Sequence, residues 1–153
     1  MANITKRVNR KASALLDGEL VEVAILVEPK GTFAAGGLAT VLMPRGQTRR
    51  TEAAAASARQ GEGGMAASFP AASCVVAVTP TRVIAIKSNG LTFRALDFEV
   101  PRGAAHLVTS QGGALARHLT IGFTDGTSVE VEAQRGQPHQ RFAEALGGPN
   151  APA

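Results

Sequence analysis

The clearest hydrophobic pattern lies in mid-chain, at Cys74 to Ser88 (CVVAVTPTRVIAIKS), where two β-branched runs flank the polar turn Thr79, Pro80, Thr81 and Arg82. This predicts a buried β-hairpin, with Cys74, Val76 and Val78 on one face of the first strand and Ile84 and Ile86 on one face of the second. Upstream, from Glu19 to Glu28, Val21, Val23, Ile25 and Val27 alternate with Glu22, Ala24, Leu26 and Glu28, the period of two of a strand. Leu26 on the second face implies cover on both sides. Downstream, Leu96, Phe98 and Val100 alternate with Asp97 and Glu99, while Leu91 and Phe93 have the other parity, so a bulge is expected near Ala95. A weaker strand follows at 104–109. A hairpin then turns at Asp125 and Gly126, with Leu119, Ile121, Phe123, Val129 and Val131 facing the core and Glu130 and Glu132 outside.

Helical spacing occurs at the two ends. Ile4, Val8, Ala12 and Leu15 fall within about 80° of arc, which predicts an amphipathic helix over 4–16 that ends at Asp17 and Gly18. Pro138, the Phe142 and Leu146 pair, and Gly147 mark a C-terminal helix, with a loose tail over 147–153. Seven strands and this helix predict a partly closed antiparallel barrel or sandwich, plugged at an open corner by the helix. Residues 31–72 break the pattern as an irregular insertion. Its apolar part, 32–43, is too short to span a bilayer and is open to packing on the domain, lying on a membrane or contacting a partner. GEGGMA at 61–66 matches a dinucleotide-binding string, but no strand is expected before it, so the match reads as chance.

At 153 residues the chain makes one domain, and with no Trp or Tyr its core must be aliphatic plus Phe. Sixteen basic against twelve acidic residues is a mild excess, which together with six Phe makes nucleic acid an unexpected partner. Phe98, Phe123 and Phe142 read as core. The single cysteine, Cys74, sits in an apolar strand, so it reads as a small buried hydrophobe in a cytoplasmic protein with no intrachain disulfide. No run is long enough for a transmembrane segment.

The charges are more informative by position. Lys6, Arg7, Arg10 and Lys11 form an acid-free face on the first helix, open to two readings: a solvated face on a docked helix, or a face resting on anionic lipid. Lys30, Arg45, Arg49, Arg50, Lys87 and Arg94 form a candidate basic rim at one end of the barrel, worth about 1 kcal/mol per residue near an anionic membrane. His106 and His118 lie on neighbouring strands without a third ligand, so neither metal nor cofactor is expected. No nucleophile elbow or phosphate loop is present, so no catalytic residue is assigned and the chain reads as a non-enzyme.

VVAVTPTRVIAI at 75–86, FEVPRG at 98–103, LTIGFTDGTSVEVEA at 119–133, RFAEAL at 141–146 and the opening LLDGELVEV at 15–23 together resemble the bacterial, notably actinobacterial, pleckstrin-homology-like domains. That resemblance implies two antiparallel sheets of four and three strands capped by the C-terminal helix, and binding in place of catalysis. It does not extend to phosphoinositide recognition, because no basic-x-Arg pattern follows Lys30. The expected organisation is an extra N-terminal helix over 1–18, a pleckstrin-homology-like domain over 19–146 carrying the insertion 31–72, and the tail. The expected function is docking a protein partner, with self-association included. The alternative is peripheral binding to anionic lipid at the inner membrane surface, through the first helix and the arginines of the insertion.

Overall fold

The computed structural model describes residues 3–30, 59–60, 64–88, 92–112 and 116–147. Among them, helix α1 (Ile4–Lys11) is followed by a 3-10 turn (Ser13–Leu16), strand β1 (Val23–Pro29), the two-residue strand β2 (Arg59–Gln60) and helix α2 (Gly64–Ser68). Strands β3 (Cys74–Val78), β4 (Arg82–Ser88) and β5 (Phe93–Pro101) come next, then a 3-10 turn (Arg102–Ala104). Strands β6 (Ala105–Gly112), β7 (Ala116–Phe123) and β8 (Ser128–Gln134) and helix α3 (His139–Leu146) complete the chain. Most of the expected insertion, including its apolar part 32–43, most of the tail expected over 147–153, and Leu91 lie outside the described residues.

All strand pairs are antiparallel, in the order β5-β4-β3-β1-β8-β7-β6, with β2 on β8. The sheet does not close, and β5 and β6 are its edges. Four strands lie on one side of the β1–β8 seam and three on the other, and the seam itself is short: Val27, Glu28 and Pro29 against Ala133, Glu132 and Val131. Where β1 parts from β8, its backbone needs other partners. Thr5 Oγ1 accepts from Ala24 N (3.0 Å), and the Gln137 amide accepts from Leu26 N (2.6 Å) and donates to Leu26 O (2.8 Å). Past the seam, β2 pairs with the β8 backbone at Val129 and Ser128.

The strand periodicity builds two cores. Val23, Ile25 and Val27 of β1, Cys74, Val76 and Val78 of β3, Val83 and Ala85 of β4, and Leu119, Ile121 and Phe123 of β7 share an inner core with Phe142 and Leu146 of α3. Phe142 is fully buried, and burying such a side chain contributes about 1.5–3 kcal/mol. On the outer face, Ala24, Val75, Ala77, Ile84 and Ile86 pack under Val8, Ala12 and Leu16 of the N-terminal segment. The hairpin register aligns Val76 with Ala85 and Val75 with Ile86, so the Ile84 and Ile86 face is opposite to that of Cys74 and Val76. Cover of the first strand on both sides, expected from Leu26, is therefore supplied by α1.

Several boundaries and faces differ from expectation. The first helix stops at Lys11 and continues as a 3-10 turn, and β1 starts at Val23 because Asn9 instead ties down Val21, accepting from its N–H (2.8 Å) and donating to its carbonyl (3.1 Å). The expected bulge in β5 is two bulges that place Asp97 and Arg94 out of register. Leu96 consequently turns to the outer core while Phe98 and Val100 stay inside. The weak strand expected at 104–109 runs to Gly112, with a bulge at Val108. Glu132, expected outside, is 1% exposed. A strand, β2, does precede the GEGGMA string, and α2 opens inside it. The α2 amides are already taken, however: Met65 N donates to Asp125 Oδ2 (2.7 Å) and Ala66 N to Thr127 Oγ1 (3.1 Å).

Candidate functional site

Of the expected basic rim, Lys30, Lys87 and Arg94 lie at one end of the sheet, while Arg45, Arg49 and Arg50 fall outside the described residues. Lys87 pairs in register with Cys74 and Ala95, which brings it beside the Arg94 bulge. Lys30 is two strands away and is neutralised locally by Glu130 at 2.8 Å. On α1, Lys6, Arg10 and Lys11 are exposed, and the half-buried Arg7 guanidinium lies 5.9 Å from the Phe93 ring centroid. The helix thus borders the start of β5 at Phe93. Its apolar face is spent on the outer core, with Val8 and Leu16 both at 0% exposure.

The turn that carries the family resemblance is a structural hub. Thr79 is fully buried; its Oγ1 accepts from Thr81 N (3.3 Å) and Arg82 N (3.0 Å). Arg82 bonds Glu19 (3.2 Å), Glu99 (2.8 Å) and the Leu16 carbonyl (3.1 Å), joining the N-terminal segment to β4 and β5. Arg102 joins Glu22, the Thr79 carbonyl (3.1 Å) and the Ala145 carbonyl of α3 (3.1 Å). The hydroxyls of Thr79 and Thr81, aided by the Thr81 N–H and Arg82, hold the Glu19 carboxyl down at about 2. Cys74 is buried, and desolvation pushes its thiol far above the ordinary range, so it is inert packing as expected.

His106 and His118 do not converge: His106 faces Gly122 and His118 faces Gln111 across the β6–β7 pair. His118 Nδ1 instead sits 3.4 Å from Glu132 Oε1. Glu132 directly opposes Glu28 across the seam. Desolvation first, and the Glu132 charge as well, push the Glu28 carboxyl up, against the lowering effect of its hydrogen bond from Ser73. Among the described residues no three His, Cys, Asp or Glu side chains form a group able to hold a metal ion. No helix among them is long and apolar enough to cross a membrane.

Two surface features were not anticipated. The first is the β6 edge. The Leu107 N–H is taken by the Gly147 carbonyl at the end of α3 (2.7 Å), and beyond it Val108–Gly112 has no strand partner on that side among the described residues. Val108 is 44% exposed. Beneath it, Gly122 leaves the room that β6 needs, since a Cβ there would lie 2.7 Å from Val108 Cγ2 and 2.8 Å from His106 Nε2.

The second is a cleft of about 390 Å³ where the β6–β7 hairpin meets α3, lined among the described residues by Ser110, Arg117, His139 and Gln140. Arg117 Nη1 donates to Ser110 Oγ (2.9 Å). The His139 Nε2 faces the Gln134 carbonyl (3.2 Å), and its Nδ1 is buried without a hydrogen-bond partner among the described residues. Burial, and then the Arg117 charge, push the His139 ring below its ordinary pKa, against the raising effect of the Gln134 carbonyl. A sequence signal for this site exists. Arg117 shares the inward parity of Leu119, Ile121 and Phe123, a cation on the apolar face of a strand. No protein-family model matches the chain, and neither a curated protein nor a solved structure matches it.

Proposed function

We propose that this chain is a pleckstrin-homology-like binding module that docks a protein partner by strand addition along β6. The family reading, drawn first from VVAVTPTRVIAI, is supported by the four-plus-three strand order and by a C-terminal helix packed against β1, β3 and β6. The docking is carried by the contrast between the two sheet edges. An unpaired edge invites another chain, and proteins blunt it with bulges, charges and proline. Strand β5 has all three: bulges at Arg94 and Asp97, the charge of Glu99, and Pro101. Strand β6 has one bulge and presents Val108, Thr109, Ser110 and Gln111 with no charged side chain, a surface suited to an added strand.

The module is a binder and not a catalyst in this reading, which the engagement of four of its carboxylates in holding the fold supports. Glu19, Glu22 and Glu99 serve the arginine hub, and Asp125 caps α2. A cytoplasmic setting accords with the single buried thiol. Peripheral attachment to anionic lipid is the second reading, favoured by the exposure of Lys6, Arg10 and Lys11 on α1. With the apolar face of α1 buried, such attachment is electrostatic and salt-sensitive.

Crosslinking in cells followed by purification tests the first reading through Val108→Lys, which charges the β6 edge without touching either core. The variant should lower recovery of the partner about tenfold, equivalent to about 1.4 kcal/mol. Undiminished recovery sinks strand addition on β6. Co-sedimentation of the wild-type chain with anionic vesicles, lost on raising the salt, would support the lipid reading instead.

A further inference from the structure

The cleft between the β6–β7 hairpin and α3 is built as a donor site with a positive charge and no acid. Among the described residues, its lining supplies a guanidinium from Arg117, a hydroxyl from Ser110 and an amide from Gln140, one of whose two N–H groups already donates to Glu144 Oε1 (3.3 Å), and no carboxylate pairs with Arg117. A half-buried arginine is normally satisfied by an acid or by several carbonyls, as Arg82 and Arg102 are here. Among the described residues Arg117 has one hydrogen-bond partner, the neutral Ser110, whose oxygen accepts from the guanidinium and leaves its own proton free to donate. We propose that this cleft is a carboxylate site, in which one carboxylate group sits against the free edge of the Arg117 guanidinium with the Ser110 hydroxyl and the Gln140 amide as further donors. A single cation in planar fork geometry matches a carboxylate in charge and shape, whereas a phosphate dianion calls for more than one. The inference stands on the cleft itself and does not depend on strand addition along β6.

His139 is the built-in reporter. Its Nε2 faces a carbonyl, which only accepts, so the neutral ring carries its proton there and leaves Nδ1 bare and buried. A second proton on Nδ1 is opposed by burial and by Arg117, the charged group facing it from β7; β8 contributes the neutral Gln134 carbonyl, and Gln140 of the same helix also lines the cleft. A carboxylate on Arg117 cancels that opposing charge. The ring pKa then rises toward its ordinary value, and carboxylate binding tightens as pH falls.

The test is a titration of the full chain with sodium acetate, against sodium chloride and sodium phosphate at matched ionic strength, read by NMR on the three histidine rings. Acetate should produce a saturable shift of the His139 ring, with a Kd on the order of millimolar, while His106 and His118 stay still. The His139 pKa should rise in saturating acetate. Arg117→Gln should weaken acetate about tenfold or more, and Arg117→Lys, which keeps the charge and loses the fork, should fall between the two. Unchanged amide dispersion shows that the variants fold; if Arg117→Gln does not, Gln140→Ala and Ser110→Ala, each expected to weaken acetate less, give the reading. Absence of a saturable His139 shift, a shift that survives Arg117→Gln, or phosphate binding as tightly as acetate would each overturn the assignment.

Discussion

Glu19 and Glu28 lie at the two ends of the β1 segment, and their surroundings move their proton affinities in opposite directions. Glu19 is held at about 2 by threonine hydroxyls, an N–H and Arg82, below its ordinary 4.5, so it stabilises the fold fully above that value. That contribution is lost as pH falls from about 4.5 to about 2. The Glu28 carboxyl is raised by burial and by Glu132, so its protonated form favours the fold, and its contribution grows as pH drops from neutral through the raised value. Chemical denaturation of Glu19→Gln and Glu28→Gln across pH should show this contrast. The first variant is less stable than wild type at neutral pH and converges on it in strong acid; the second loses wild type's gain on mild acidification. Neither behaviour was legible in the alternating pattern, which treats every glutamate on a strand as solvent-facing. Glu132 shows why: at the β1–β8 seam the outer face is itself covered, with Glu132 at 1% exposure. Arg117 is the converse, a residue whose parity already marks it as unusual.

At the scale of elements, hydrophobic period was a sound guide to the strands and a poorer one to where they stop. The hairpin over Cys74 to Ser88, the turn at Asp125 and Gly126 and the helix ending at Gly147 follow the sequence closely, because turn chemistry and alternation agree there. Strand β1 starts late because one side chain of α1, Asn9, captures the preceding backbone at Val21, a long-range pair of bonds that no local pattern contains. Helix α2 is the extreme case. Five residues of Gly, Met, Ala and Ser cannot stabilise a helix alone, and this one forms because Asp125 and Thr127, some sixty residues away, satisfy its first amides. Gly64 is essential to that capping. It has φ +67°, and a Cβ would press on the Asp125 carboxylate. Gly64→Ala should therefore cost about 1–3 kcal/mol in thermal or denaturant unfolding, the usual range for a strained backbone position. A change within about 0.5 kcal/mol, typical of a surface site, would contradict the capping role.

For the whole molecule, the seven strands of the main path, the C-terminal helix and two-sided cover of the first strand were legible from hydrophobic spacing, whereas the eighth, the two-residue β2, was not. The open sheet and its unequal edges were not, because pairing order and edge position depend on which strands meet at β1. The expected basic rim is divided in the same way: Lys87 pairs with Ala95 beside the Arg94 bulge, whereas Lys30 is spent on Glu130. Among the described residues the β6 edge beyond Leu107 has no strand partner, and the proposed function rests on it. The most direct measurement places a photo-crosslinking residue at Val108, at Leu20 and at Lys11 in turn and analyses the adducts formed in cells. Leu20, 70% exposed, is the control for apolar exposure away from an edge, and Lys11 reports on the basic helix. Strand addition predicts one discrete protein adduct from position 108, a second copy of the chain or another protein, and none from the other two. No adduct at 108, or the same adducts from all three positions, would contradict it.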